Sequence, residues 1–293
     1  MLIEIIKNLL YLILMFHIVC LTKSYNWEDL YTWFNYHDKM GYFIHLIDNE
    51  SISEISNKIK TKIINTGHTY EKLTGWANQW QLFNDILNNN KYNINTGDFI
   101  SFIDDDEYIW YKSYNETVEE YIDRQLIDSG YNSFLVPQIL MSTHELINDR
   151  IENYVYTHLY RRNDFATQGK AIIKYDPGYK YDFLIKSGEE SGHVPVIFNS
   201  YKNIEKKRYS VVNNSGISNT TYGITDYFAN LRLYHYHIKS IEDWNKKIRR
   251  GSAALTYQWY NADIRKNKYY DEYDVMDDTM AKTLTASIKR RHF

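Results

Sequence analysis

Apolar residues along the first hundred positions alternate between short continuous runs and helically spaced sets. The run "LLYLILMFHIVCL", Leu9 to Leu21, contains His17 and is shorter than the roughly 20 apolar residues a membrane-spanning helix needs. No small-residue cleavage site follows it, so "FHIVCL" reads as a buried first strand preceded by a short apolar segment. In "YNWEDLYTWFNYHDKMG", Asn26 is the expected N-cap, with Asp29 three residues on. Leu30, Trp33, Phe34 and Met40 share one helical face, and Gly41 ends the helix. "YFIHLID" then reads as a buried strand ending at Asp48, and Ile52, Ile55, Ile59 and Ile63 recur at helical spacing. A loop holding Gly67 and Gly75 leads to a third apolar helix face, Trp76, Trp80, Phe83 and Leu87, and then to the strand "FISFI". Strand–helix repetition of this kind predicts an α/β fold, a mostly parallel sheet flanked by helices with right-handed crossovers. Ligands of such sheets bind beyond the carboxyl ends of the strands. Asp48, Asn49 and Asp104 to Glu107 are expected to gather there.

Composition narrows the classes. The 293-residue chain is 44% hydrophobic, enough for a substantial core, and carries a formal net charge of −3. That balance argues against a general nucleic-acid binder, which would show a basic stripe. The single cysteine, Cys20, excludes an intrachain disulfide and fits a reducing compartment. The 29 Tyr and 3 Pro look like the codon bias of an AT-rich genome. The same bias generates Asn-x-Ser/Thr sequons at Asn49, Asn115, Asn213 and Asn219, which are therefore weak evidence for secretion.

The candidate chemistry lies where "FISFIDDDEYIW" sets an apolar strand against four consecutive carboxylates. Four in a row repel unless something positive sits among them. An acidic run is commonly a solvated face, but a position at a strand end of an α/β unit favours a ligand site. The run lacks the glycine and the terminal glutamate of a calcium-binding EF-hand loop, and the chain has neither a P-loop nor a Gly-x-Gly-x-x-Gly turn. Carboxylates there suit Mg²⁺ or Mn²⁺, which hold phosphates. If the strand continues, Asp104 and Asp106 share an orientation and Asp105 points elsewhere. A second stretch, "YHYHIKSIEDWNKKIRRGSA", places His235 and His237 two apart, facing the same side of an extended segment. Imidazole ligates transition divalents. An isolated histidine is more often a packed one, and Lys246, Lys247, Arg249 and Arg250 are more often a solvated helix face. Here Lys239 and a helix capped by Ser240, with Asp243 three residues on, favour a phosphate-binding loop.

In these residues the chain resembles the GT-A glycosyltransferases of families 2 and 92, from about Phe16 to Ala253. "LTKSYNWEDLYTWFNYHDKMG" resembles the opening strand and helix, "IDNES" the next strand end, and "QWQLFND" the helix-opening glutamine segment. "FIDDDEY" resembles the family's D-x-D-E-aromatic metal motif, and "HYHIKSIEDWNKKIRRG" its closing His-Tyr-x-x-Lys-Ser segment. The resemblance implies a metal-dependent inverting transferase using Mn²⁺ or Mg²⁺. It implies transfer of a sugar from a nucleotide-sugar donor, UDP- before GDP-, to a glycan, glycoprotein or other hydroxyl acceptor. Lys23, Asp48, Asn49, Ser51 and Gln79 would surround the nucleoside, Asp104 would face the ribose or metal-bound water, Asp105 would belong to the nucleotide-sugar site, and Lys239 would contact the diphosphate. Asp104, Asp106 and His235 would hold the metal, with Glu107 supporting the loop. Glu145 is the leading catalytic-base candidate, with Glu189 and Glu190 behind it. The family usually has an apolar residue where Asp105 stands, and "LMSTHE" lacks the glycine-rich character usual near the acceptor side. A metal-dependent phosphohydrolase, which would need ligands for a second metal, and a non-catalytic carbohydrate-binding protein are the opposing readings. The expected organisation is an apolar segment over 1–14, one transferase domain over 15–255 and a helical tail over 256–293, with a helix near Asp277 to Lys289. The expected location is cytoplasmic, with membrane association not favoured and no nucleic-acid partner.

Overall fold

Strand β1 (Phe16–Thr22) is buried along its whole length, and the alternation of its side chains divides the molecule into two cores. Phe16, Ile18 and Cys20 face one layer, where they meet Leu30, Trp33 and Phe34 of helix α1 (Trp27–Lys39), Ile55, Ile59 and Ile63 of α2 (Ser53–Asn65), and Ile122 and Leu126 of α4 (Val118–Ser129). Val19 and Leu21 face the other, with Phe83, Ile86 and Leu87 of α3 (Gln79–Asn88). A computed structural model of the chain describes residues 14–24, 26–51, 53–75, 78–111, 115–129, 132–142, 154, 160–162, 169–183, 196–199, 210–213, 216–218, 231–237, 239–250 and 275–277.

The remaining strands are β2 (Phe43–Asn49), β3 (Thr69–Leu73), β4 (Phe99–Phe102), β5 (Glu107–Tyr111), β6 (Ser133–Ser142), β7 (Tyr160–Arg162), β8 (Gly169–Lys174), β9 (Tyr179–Asp182), β10 (Val196–Asn199), β11 (Ser210–Asn213), β12 (Gly216–Ser218), β13 (Leu231–His235) and β14 (Val275–Asp277), with α5 at Ile241–Arg250. The main sheet follows the order β12-β11-β6-β8-β4-β1-β2-β3. Along that path only β8 and β12 run against the others, so the sheet is mostly parallel. The α/β class read from the sequence is the class observed. Long strand β6 leaves this path at its C-terminal half, where it pairs with β13 in parallel, and β13 pairs antiparallel with β5. That branch sets His235 directly opposite Glu107.

Most expected elements form where the pattern places them. The side chain of Asn26 caps α1 by accepting from the Glu28 and Asp29 amides, and Gly41 follows the helix at φ 87°. One stretch differs: "TYEKL", expected within a loop, is strand β3 at the sheet edge, parallel to β2. Its residues are only partly covered, so no apolar alternation marks them. Two expectations for the tail also meet the structure at one point. Asp277 ends strand β14, which pairs with β7 in the main sheet, so residues 275–277 are extended where a helix was expected to begin. The rest of that expected helix lies outside the described residues, as does the apolar segment over residues 1–13. Among the described residues no helix is long and apolar enough to cross a membrane.

Helix α1 fixes β5 through three buried polar contacts. Trp33 Nε1 donates to the Glu107 carbonyl at 2.8 Å, Tyr36 Oη donates to the Ile109 carbonyl at 2.7 Å, and the Ile109 amide donates to His37 Nε2 at 3.4 Å. His37 Nδ1 lies 2.9 Å from the Trp33 carbonyl. A ring that donates through Nδ1 and accepts through Nε2 is neutral, and burial lowers its pKa to about 3. Burial, with His17 and His68 adding, lowers His45 to about 3 as well.

Both histidines are neutral when folded and basic near the ordinary 6.5 when unfolded, so the unfolded chain binds more protons between those values. The stability these two histidines contribute is therefore expected to be full above pH 6.5 and to fall as the pH drops, by about 2 kcal/mol per histidine at pH 5, while Glu107, raised by burial, acts in the opposite direction. Urea melts at pH 7 and pH 5 measure this. His37→Gln is expected to flatten the slope by about one proton, and an unchanged slope would show that His37 is protonated in the fold.

Candidate metal centre at the carboxyl edge of the sheet

The acidic run does not continue strand β4. The chain leaves the sheet after Phe102, the Ile103 amide donates to the Val19 carbonyl at 3.1 Å, and the backbone turns at Asp105 and Asp106 before β5 begins. Asp104 and Asp106 therefore do not share one orientation, contrary to the expectation for an extended D-x-D. The Asp104 carboxylate lies 2.9 Å from Lys170 Nζ on β8. Asp105 accepts from Thr22 Oγ1, the last residue of β1, at 2.5 Å. Asp106 faces His235, whose Nε2 is 3.3 Å from its Oδ1.

Donor atoms of Asp106, His235 and His237 all lie within 4.8 Å of one another. One carboxylate oxygen and two imidazole nitrogens, partly exposed on one side, form a donor set that fits a divalent ion such as Mn²⁺. His237 comes from the same extended segment as His235, with ring centroids 5.1 Å apart, and packs its other side against Trp244. The sequence pattern places these two histidines on the same side, but the metal set implied by the resemblance includes only His235. The local fold fixes this loop from both sides: the Tyr236 amide donates to the Asp106 carbonyl at 2.9 Å, and Ser240 caps α5 by accepting from the Asp243 amide at 3.0 Å.

Glu107 is the most buried of the four acids, 1% exposed. Its Oε2 accepts from the Asp104 amide at 2.9 Å and lies 3.4 Å from Lys170 Nζ, while Oε1 lies 3.8 Å from His235 Nδ1. Gln138 of β6 also contacts His235 Nδ1. Gln138 is thus the direct partner of the His235 Nδ1 edge, with the Glu107 carboxylate lying farther behind the ring. Burial pushes the Glu107 carboxyl up to about 7, with Asp104 and Asp106 adding and Lys170 and His235 opposing. Burial alone would lower the Lys170 ammonium, but Asp104 and Glu107 outweigh it and hold the pKa above the ordinary lysine range.

The expected nucleoside residues occupy the adjoining strand ends. Lys23 Nζ lies 3.5 Å from Glu50, and the Ser24 amide donates to Ser51 Oγ at 2.8 Å, joining the turns after β1 and β2. Glu50 adopts a left-handed backbone at φ 60°, an uncommon conformation for a residue with a side chain, and accepts from the Gly75 amide at 2.9 Å. Asp48 is fully buried and accepts from the Ser51 amide, Ser56 Oγ and Tyr70 Oη at 2.9, 2.5 and 2.7 Å. Asn49 is 3% exposed, and its Oδ1 has no hydrogen-bond partner among the described residues. Gln79 is buried at the start of α3, and none of these contacts reaches it. Lys239 lies 2.8 Å from Asp29 of α1 and 4.0 Å from the Tyr154 ring centroid. Lys246 pairs with Glu242 one turn away, as a solvated helix face does. Glu145, Glu189 and Glu190 lie outside the described residues, as do the side chains of Lys247, Arg249 and Arg250.

No protein-family model and no curated protein sequence matches the chain. Among solved structures it is similar to residues 1–349 of TarS from S. aureus, at 16% identity and a TM-score of 0.40 over 96% of this chain and 72% of that one. The same protein in complex with UDP-GlcNAc aligns at 15% identity and a TM-score of 0.34, over 96% of this chain and 73% of that one. A 4-diphosphocytidyl-2C-methyl-D-erythritol synthase aligns at 11% identity and a TM-score of 0.29, over 55% of this chain and 75% of that one. Likeness at this level is distant.

The three-donor arrangement makes a prediction that a D-x-D motif does not. Asp106→Ala and His237→Ala are each expected to weaken Mn²⁺ binding by about tenfold or more, measured by electron paramagnetic resonance titration. Asp104→Asn is expected to change it much less. Loss of binding in Asp104→Asn together with retention in His237→Ala would restore the motif as first read.

Proposed function

We propose that this chain is a metal-dependent glycosyltransferase that takes a nucleotide-sugar donor, UDP- before GDP-. The observation that supports it is the convergence of Asp106, His235 and His237 at the carboxyl edge of a mostly parallel sheet, beside the turns that follow β1 and β2. Motifs similar to those of families 2 and 92 stand in order across the same strand ends. Mn²⁺ or Mg²⁺ is the proposed ion, and bound there it would supply Lewis-acid stabilisation to a leaving diphosphate.

The chain's own residues have separable tasks. Asp106, His235 and His237 hold the ion, and Gln138 orients His235, with Glu107 farther behind the ring. Asp48 already accepts three hydrogen bonds, so its task is to hold the turn after β2. Asn49 is the better placed of the two to accept from a nucleobase, because its buried Oδ1 lacks a partner among the described residues. Lys23, joined to that turn through Glu50, is proposed for the ribose side. Direct displacement with inversion needs a base for the acceptor hydroxyl, and Glu145 is the proposed group. A glycan or glycoprotein is the proposed acceptor.

Thermal melts with nucleoside diphosphates test this reading. UDP is expected to raise the melting temperature by several degrees at about a hundred times its dissociation constant, and only with Mn²⁺ or Mg²⁺ present. A panel of nucleotide sugars should then show metal-dependent hydrolysis or transfer for one donor. A response to free glycan without nucleotide would instead indicate a carbohydrate-binding protein, and release of phosphate from simple monoesters a phosphohydrolase.

A further inference from the structure

Lys170 is outside every motif that marks the site, yet its ammonium sits among the acidic residues. It is 3% exposed, on the antiparallel strand β8, with Nζ 2.9 Å from Asp104 Oδ2 and 3.4 Å from Glu107 Oε2. Glu107 divides its two oxygens: Oε2 faces this ammonium, and Oε1 faces His235 of the three-donor cluster. Asp104 and Glu107 thus share one ammonium, beside a donor set that fits a divalent ion.

We infer that Lys170 is a resident second cation of the acidic turn, occupying a position between Asp104 and Glu107 that would otherwise take a second divalent ion. As a positioning residue, it neutralises the two acids that do not belong to the Asp106–His235–His237 cluster. It also holds Glu107 so that its outer oxygen meets His235. The chain therefore needs one divalent ion where its acidic residues could hold two. This inference builds on the metal centre proposed above, but its central claim concerns Lys170 itself.

The alternative is that Lys170 is simply a buried salt-bridge partner, and stoichiometry separates the two. The full chain is titrated with Mn²⁺ alone, followed by paramagnetic resonance and by melting temperature. Wild type is expected to bind one equivalent. Lys170→Ala is expected to melt several degrees lower without metal, because the buried Glu107 and the part-exposed Asp104 lose their shared counter-charge. It is expected to bind two equivalents of Mn²⁺ and to recover most of the lost melting temperature. Lys170→Arg, which restores the charge, should return to one equivalent. If Lys170→Ala folds neither with nor without Mn²⁺, the triple variant Lys170→Ala, Asp104→Asn, Glu107→Gln decides. Folding of that charge-free variant supports the counter-ion role, and its failure to fold overturns it. A single equivalent in Lys170→Ala, with no metal-dependent recovery, also overturns it. Should wild type bind no Mn²⁺ while Lys170→Ala binds one, the metal centre fails and the Lys170 assignment stands.

Discussion

Four adjacent carboxylates at one strand end are the constraint on which this structure turns. At an effective dielectric near 20, each pair of unit charges about 4 Å apart repels by about 4 kcal/mol, and burial of Glu107 removes the water that would screen it. The fold answers the four acids with partners from three strands. Thr22 at the end of β1 meets Asp105, Lys170 on β8 meets Asp104 and Glu107, and His235 on β13 meets Asp106. Strands β1, β8 and β13 are far apart in sequence, so the acidic turn is stable only once the sheet has assembled around it. Strand β8 carries the ammonium, and its insertion between β4 and β6 delivers it to the turn.

Helix α1 then acts as the ruler that holds the site's second half in register. Asp29, Trp33, Tyr36 and His37 lie at helical spacing on one face. They contact Lys239, the Glu107 carbonyl, the Ile109 carbonyl and the Ile109 amide in turn. One helix thus touches both the strand that follows the acidic turn and the loop that carries the two histidines. Its aromatic residues serve twice, filling the core with their rings and fixing β5 with their polar atoms.

What could be read from the sequence follows from this division. Elements with one or two apolar faces, such as β1, α1 and β2, were legible because burial writes a period into the chain. Asn26 and Ser240 were legible as caps because short polar side chains satisfy free amides. Strand β3 was not, since an edge strand with half-covered residues needs no apolar alternation. The acidic turn and the histidine segment were legible as chemistry, but their geometry was not. Reading Asp104 with Asp106 assumed a continuing strand, whereas the chain turns and sends the two side chains to different partners. Lys170 was invisible for a simpler reason. A lysine in "GKAIIK" carries no local signal, and its role arises only from the pairing of β8 with β4 and β6.

The position of Lys239 shows how closely the two halves of the site are linked. As a diphosphate ligand it was expected to face the edge, but its ammonium lies on Asp29 and over the Tyr154 ring. Moving it to a phosphate would exchange one anion for another at little Coulomb cost, yet would uncover Asp29, which is only 6% exposed. Separating a largely buried ion pair is unfavourable, so such a move carries a cost at Asp29. The other course leaves Lys239 in place as the tie between α1 and the histidine loop. In that arrangement an ion held by Asp106, His235 and His237 would supply the positive charge proposed to meet a diphosphate. The same helix that carries Asp29 also fixes Glu107 through Trp33. Keeping Lys239 on Asp29 leaves α1 tied to the segment that follows the two histidines.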